Sequence, residues 1–227
     1  MRIAALFGLL VLLGMTPVQL DSQIVLERYE LEMGDLKVPK TMIFSYTVSQ
    51  SGPNPIEARH MIYRSGLDVR DETLAVDGTP LRPKIVRIGQ REDRYEIQRV
   101  APRASTYTML FLRAIRDGGH LDYEYETTPL VASGGFVVER LVIDGDSYLP
   151  TVIAVRSSSG DAQGTGKLEY AKIGPYCVPV SVSVDAQIHG KPAREHIAWG
   201  AYRFPPSLPP STFVAPKPLP HATLPPI

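Results

Sequence analysis

Tyr176-Cys177-Val178-Pro179-Val180-Ser181-Val182-Ser183-Val184 is the stretch on which the fold turns. Every even position is apolar, and the odd ones are Cys, Pro, Ser and Ser. A period of two belongs to a β-strand with one dry face and one wetter face. The same alternation recurs along the chain. From 41 to 49, Met42, Phe44, Tyr46 and Val48 face one way, with Thr41, Ser45, Thr47 and Ser49 on the other. Leu121, Tyr123 and Tyr125 alternate with Asp122, Glu124 and Glu126, which predicts a strand with one fully solvated face.

Further strands are expected over 57–65, 67–76, 84–88, 94–100, 136–143, 151–156, 166–173 and 195–204. Residues 107–115 are apolar on both faces apart from Arg113, which predicts a central strand covered on both sides. Turn signals separate these runs: Ser51-Gly52-Pro53-Asn54-Pro55, Asp77-Gly78, Asp117-Gly118-Gly119, Ser133-Gly134-Gly135, Asp144-Gly145 and His189-Gly190. Arg91 to Arg94 reads as an exposed charged loop. Residues 21–34 read as a helix: Asp21 or Ser22 can cap it, Gly34 can stop it, and Val25, Tyr29 and Met33 make one narrow apolar stripe. Ten or eleven strands with short connections favour antiparallel neighbours, and no βαβ pattern or fixed repeat is present. A sheet of that length must curl. The fold class is mainly β: a large curved antiparallel sheet forming an incomplete, half-open barrel with a short N-terminal helix.

The 227 residues suit a single domain, expected over 23–204. Formal net charge is zero, which argues against nucleic acid as a partner, since binding it needs clustered positive charge. Met1-Arg2 followed by an apolar run from Ile3 to Met15 has the layout of an export signal. The run is too short to span ~30 Å of hydrocarbon comfortably. Residues 1–22 are therefore expected to be a signal peptide, with Ser22 the least poor residue to precede a cut, or an uncleaved anchor. The protein is expected in the periplasm or cell envelope. The one cysteine, Cys177, permits no internal disulfide and is expected to be small, partly buried and inert. Nine of the 23 residues from Pro205 to Ile227 are proline, a composition for an extended or surface-hugging tail.

No catalytic chemistry stands out. There is no Gly-x-Ser-x-Gly elbow, no phosphate loop and no dinucleotide fingerprint. The five histidines form no metal-binding spacing. Asp144-Gly145-Asp146 reads as a tight turn, because the other ligands of a calcium loop are missing. No cofactor, no metal and no enzymatic activity are expected.

Phe136-Val-Val-Glu-Arg-Leu-Val-Ile-Asp-Gly-Asp-Ser-Tyr-Leu-Pro150 resembles the strand, turn and Leu-Pro step of periplasmic lipoprotein-carrier-like proteins, the LolA/LolB-like fold. Gly166 to Tyr170, Tyr176 to Val184, and Arg194 to Phe204 with Leu208-Pro209 and Phe213 resemble that fold's closing strands. The resemblance covers about 40–213 in layout and only the second half in wording. Those carriers have a longer N-terminal helix and further helices that plug the cavity, whereas one short helix is read here. The resemblance implies an unclosed barrel whose concave face holds acyl chains. The expected partner is a lipid or acylated protein, with transient contact to a membrane or membrane protein. Candidate wall residues are Met42, Phe44, Tyr46, Val48, Leu121, Tyr123, Tyr125, Val178, Val180 and Val182. The alternative is a periplasmic scaffold that holds partners by its sheet edges and Pro-rich tail. Ligand identity and oligomeric state stay open.

Overall fold

The structure is a computed structural model that describes residues 20–52, 55–92, 94–132 and 134–216. The expected export signal therefore lies almost wholly outside the described residues, as does the tail beyond 216.

The chain runs α1 (Ser22–Asp35), β1 (Thr41–Ser51), β2 (Ile56–Ser65), β3 (Asp68–Val76), β4 (Thr79–Gln90), α2 (Glu96–Val100), β5 (Tyr107–Asp117), β6 (His120–Pro129), β7 (Phe136–Asp144), β8 (Pro150–Ser157), β9 (Ala162–Ile173), β10 (Tyr176–Ile188) and β11 (Lys191–Arg203), then a 3-10 turn at Pro210–Phe213. The eleven strands form one antiparallel sheet in the order β4-β3-β2-β1-β11-β10-β9-β8-β7-β6-β5. Every neighbour except β1 and β11 is also a neighbour in sequence. β4 and β5 are the two free edges and do not pair, so the barrel is half-open. The α2 connection joins one edge to the other.

Local chemistry explains the elements. Asp21 accepts a hydrogen bond from Gln23 N at 2.8 Å and so caps α1. Val25, Tyr29 and Met33 are all fully buried, as their i, i+4, i+8 spacing predicts. The helix runs through Gly34 to Asp35 and ends by a tertiary contact: Gln98 Nε2 donates to the carbonyls of Met33 and Leu36 at 2.9 and 3.0 Å. Two hairpins have positive φ at both central residues: Asp77 (48°) with Gly78 (74°), and His189 (49°) with Gly190 (73°). That is the geometry whose twist matches flanking strands.

Three sequence expectations need correction. Residues 94–100 are not a strand: Tyr95 N donates to Gln98 Oε1 at 2.9 Å and 96–100 coil into α2. The alternation of Tyr95 and Ile97 was too short to separate the two periods, and both side chains are buried in either case. β5 is an edge strand, not a central one; its second apolar row includes Leu110 (62 % exposed) and Leu112 (45 %). On β6, Glu124 is buried, because Arg113 Nε (2.5 Å) and Arg140 Nη1 (3.2 Å) close over its carboxylate. The beginning of the Pro-rich segment packs on β3, where Arg70 Nη1 donates to Thr212 O at 3.0 Å.

Candidate functional site

One face of the sheet carries α1. Tyr123 and Tyr125 of β6, Leu141 and Ile143 of β7, Ile153 of β8 and Val178 of β10 form the core beneath Val25, Tyr29 and Met33. Hydroxyls tie the helix down. Tyr29 donates to Pro102 O at 2.6 Å, Tyr125 donates to Ser22 O at 2.8 Å, and Tyr123 accepts from Leu20 N at 2.7 Å. Burial pushes the phenols of Tyr29 and Tyr125 up.

α1 does not cover this whole face. Cross-strand pairing aligns Leu168, Val182, Ile197 and Val48 in one row over β9, β10, β11 and β1. All four are half-buried, and Val48, Val182 and Ile197 lie outside the core beneath α1. Gly166 and Gly164 continue the surface on β9; a Cβ at Gly166 would meet Val184 Cγ2 at 3.8 Å and Val182 Cγ2 at 4.0 Å. Two glycines on this face leave an apolar trough where larger side chains would fill it.

A second concavity of about 510 Å³ opens where α2 meets the β5–β7 end of the sheet. Val138 and Val155 line its inner side, with Val100, Leu130, Val131 and Phe136 around it. Those four are 44, 57, 79 and 62 % exposed. Clustered exposure of large apolar groups marks a binding surface more often than scattered ones do. Val155 is the cross-strand partner of Gly164, so the concavity adjoins the glycine end of the trough. Sequence reasoning passed over this mouth. Its signal was available: an apolar run, Leu130-Val131-Ala132, directly before a Gly-Gly turn and Phe136, where a solvated loop would be polar.

The ten candidate wall residues divide. Met42, Leu121, Tyr123, Tyr125 and Val178 are buried side chains. Val180 sits at a register shift between Pro179 and Ser181, half-buried against the core. Val48 and Val182 lie in the trough. Phe44 stacks on Tyr202 with ring centres 5.3 Å apart. Tyr46 stacks on His60 and lies between Phe44 and Val48 on its strand.

The opposite face has a groove of about 910 Å³ along the cross-strand row Glu126, Arg140, Ala154, Thr165, Asp185 and Arg194. Its charges are mixed and paired, as in Arg194 Nε to Asp185 at 2.9 Å, which suits it poorly to an apolar ligand. Near the β5–β6 turn, His120 Nε2 lies 3.0 Å from Asp122 and 2.9 Å from Asp144. Their donor atoms fall within 4.8 Å of one another, a set able to hold a divalent cation. Partial burial disfavours the charged imidazole, but Asp144 and Asp122 outweigh it and raise the His120 pKa. Asp144 also accepts from Asp146 N (3.0 Å) and Ser147 N (2.5 Å), the internal bonding of a tight turn. Cys177 is half-buried, and burial pushes its thiol up, away from reactivity.

No family sequence model matches the chain, and no curated protein sequence matches it. Solved structures do. A DUF1329 family protein from Desulfovibrio piger aligns with a TM-score of 0.53 at 11 % identity, over 85 % of this chain and 96 % of that one. An outer membrane lipoprotein-sorting protein domain from Vibrio parahaemolyticus aligns with a TM-score of 0.52 at 12 % identity, over 85 and 97 %. A LolA superfamily protein from Nitrosomonas europaea aligns over 87 and 99 % at 12 % identity and a TM-score of 0.48. At such identities the likeness is one of fold alone: the Desulfovibrio piger and Vibrio parahaemolyticus proteins share the half-open antiparallel barrel described above.

Proposed function

We propose that this chain is an exported carrier or binding protein for a long apolar ligand, a lipid or the acyl chain of a lipoprotein. The ligand lies on the α1-bearing face. The observation that carries this reading is the apolar mouth at Val100, Leu130, Val131 and Phe136, adjoining the trough of Val48, Val182 and Ile197. Each methylene removed from water contributes ~0.8 kcal/mol, so a twelve-carbon chain gains roughly 10 kcal/mol before ordering costs. Those costs start at about 4 kcal/mol, so at most roughly 6 kcal/mol remains, a weak and reversible affinity of the kind a carrier requires. No bond need be made or broken, so the reading includes no reaction.

Export by the N-terminal apolar segment is part of the proposal. Asp21 caps α1, and Leu20 and Ser22 are held by Tyr123 and Tyr125. A cut before Leu20 keeps those contacts, whereas a cut after Ser22 removes the cap.

Native mass spectrometry of protein purified from the cell envelope tests the reading. It should show a bound lipid and a mature start ahead of Leu20. Phe136→Asp and Val131→Asp should each weaken binding of a fluorescent fatty-acid probe at least fivefold. Protein that carries no lipid, and binds the probe no better than these variants do, would overturn it.

A further inference from the structure

Beside the trough, the same face carries a polar group built on β1 to β4. The rings of Tyr46 and His60 stack at 4.5 Å, their planes 4° from parallel. His60 Nδ1 lies 2.8 Å from Asp71 Oδ1, and the Tyr46 hydroxyl donates to Asp71 Oδ2 at 3.4 Å. Thr73 Oγ1 stands 3.5 Å from the same imidazole nitrogen. Both oxygens of Asp71 are thus engaged.

Arg87 on β4 is the direct cross-strand partner of Asp71, and direct partners project from one face. With Asp71 committed to His60 and Tyr46, Arg87 has no ion pair among the described residues. Arg91 follows β4, its backbone fixed by the bond from Arg91 N to Leu67 O at 2.9 Å, and it too has no ion pair among the described residues. Both side chains are exposed. Both also act on the Tyr46 phenol: burial and Asp71 push it up to about 12, against the lowering effect of Arg91 and Arg87. Two arginines and one aspartate therefore gather around one phenol and leave a net positive charge. Two residues along β1 to either side, Phe44 and Val48 begin the apolar surface.

We propose that Arg87 and Arg91, backed by the Tyr46–His60 stack, receive the anionic headgroup of the ligand, a phosphate or a carboxylate, while its chain lies along Phe44 and Val48. This rests on the acyl-binding reading above and narrows it to anionic amphiphiles. Guanidinium groups suit such oxygens, since they donate in a planar fork.

Calorimetry on the full chain with dodecyl phosphate, dodecanoate, dodecanol and inorganic phosphate tests this, alongside the double variant R87Q/R91Q. Both arginines are exposed, so the double variant should keep its melting temperature. The wild type should bind the two anionic amphiphiles at least tenfold more tightly than dodecanol, and the preference should shrink at high salt. The double variant should lose the preference and bind dodecanol unchanged. Three results would overturn the proposal: equal affinity for anionic and neutral chains, a preference that survives in R87Q/R91Q, or inorganic phosphate binding as tightly as dodecyl phosphate. The last would mark a free-anion site. Absence of binding by every chain would overturn the acyl-binding reading, and this proposal with it.

Discussion

Tyr29→Phe removes one oxygen from the middle of the core and changes nothing else in outline. The hydroxyl donates to Pro102 O over 2.6 Å, and both residues are fully buried. In the variant no water can replace the lost donor. The cost has two parts: the net value of a buried hydrogen bond, ~1 kcal/mol, and the desolvation penalty of an orphaned carbonyl, ~1–3 kcal/mol. A total of about 2–4 kcal/mol is expected. For a domain of this size each kcal/mol shifts Tm by roughly 2–4 °C, so Tm should fall by about 4–16 °C. Urea unfolding followed by tryptophan fluorescence and by circular dichroism measures the change, and the slope with denaturant should be preserved. Tyr125→Phe is the control: its hydroxyl meets Ser22 O at the half-buried start of α1, where water can reach, so less than half the loss is expected. The hydroxyl of Tyr29 points at the α2–β5 connection and away from the trough, so probe binding by the folded variant should match the wild type. A loss below 0.5 kcal/mol at Tyr29, or an equal loss at both tyrosines, would refute the reading of the Tyr29–Pro102 bond as a buried, water-excluded anchor of α1.

Gly145→Ala should destabilise by ~2–3 kcal/mol or prevent folding, because the added methyl would overlap the Leu121 carbonyl oxygen and crowd the Tyr123 ring; soluble expression and thermal melts decide. Burial raises the phenols of Tyr29, Tyr95, Tyr125, Tyr170 and Tyr202 above their ordinary value of 10.0. A folded-state pKa above the unfolded one means stability that is fully present below about pH 10 and lost as pH rises further, so urea midpoints should hold from pH 7 to 9.5 and then fall steeply. An unchanged midpoint at pH 11 would contradict this. Arg70→Ala frees the backbone at Thr212 and should speed proteolysis between 207 and 214 severalfold without moving Tm by more than ~2 °C, as mass mapping of a limited digest would show.

Much of the sheet could be read directly, because a buried face imposes a period of two on each strand and a two-residue hairpin demands positive φ. Tyr176 to Val184, the Asp77-Gly78 turn and the Val25, Tyr29, Met33 stripe are cases where local pattern and tertiary burial coincide. Where they part, sequence reading missed. Glu124 is buried by two arginines from neighbouring strands, and nothing at position 124 records them. β5 is apolar on both faces because one apolar row faces the core and the other meets solvent at an edge. α2 is one turn long, too short for its period to show. The trough depends on pairing across strands: Val182 meets Ile197 and Leu168 only through register, while Val178, four residues earlier on the same face, is sealed under α1. The polar group around Asp71 draws on four strands for the same reason.

The gap between β4 and β5 bears on how the barrel takes up load. In a closed barrel, widening the interior means breaking a ladder of hydrogen bonds along a whole strand. Here the two edges have no ladder to break, and the chain from 91 to 106 bridges them as a covalent strap anchored to the helix through Gln98 and Arg103. Widening is therefore opposed by bending of the sheet and by the anchored strap, not by a ladder between these two edges. On the proposed reading, a chain could enter or leave at that gap without breaking a strand ladder there.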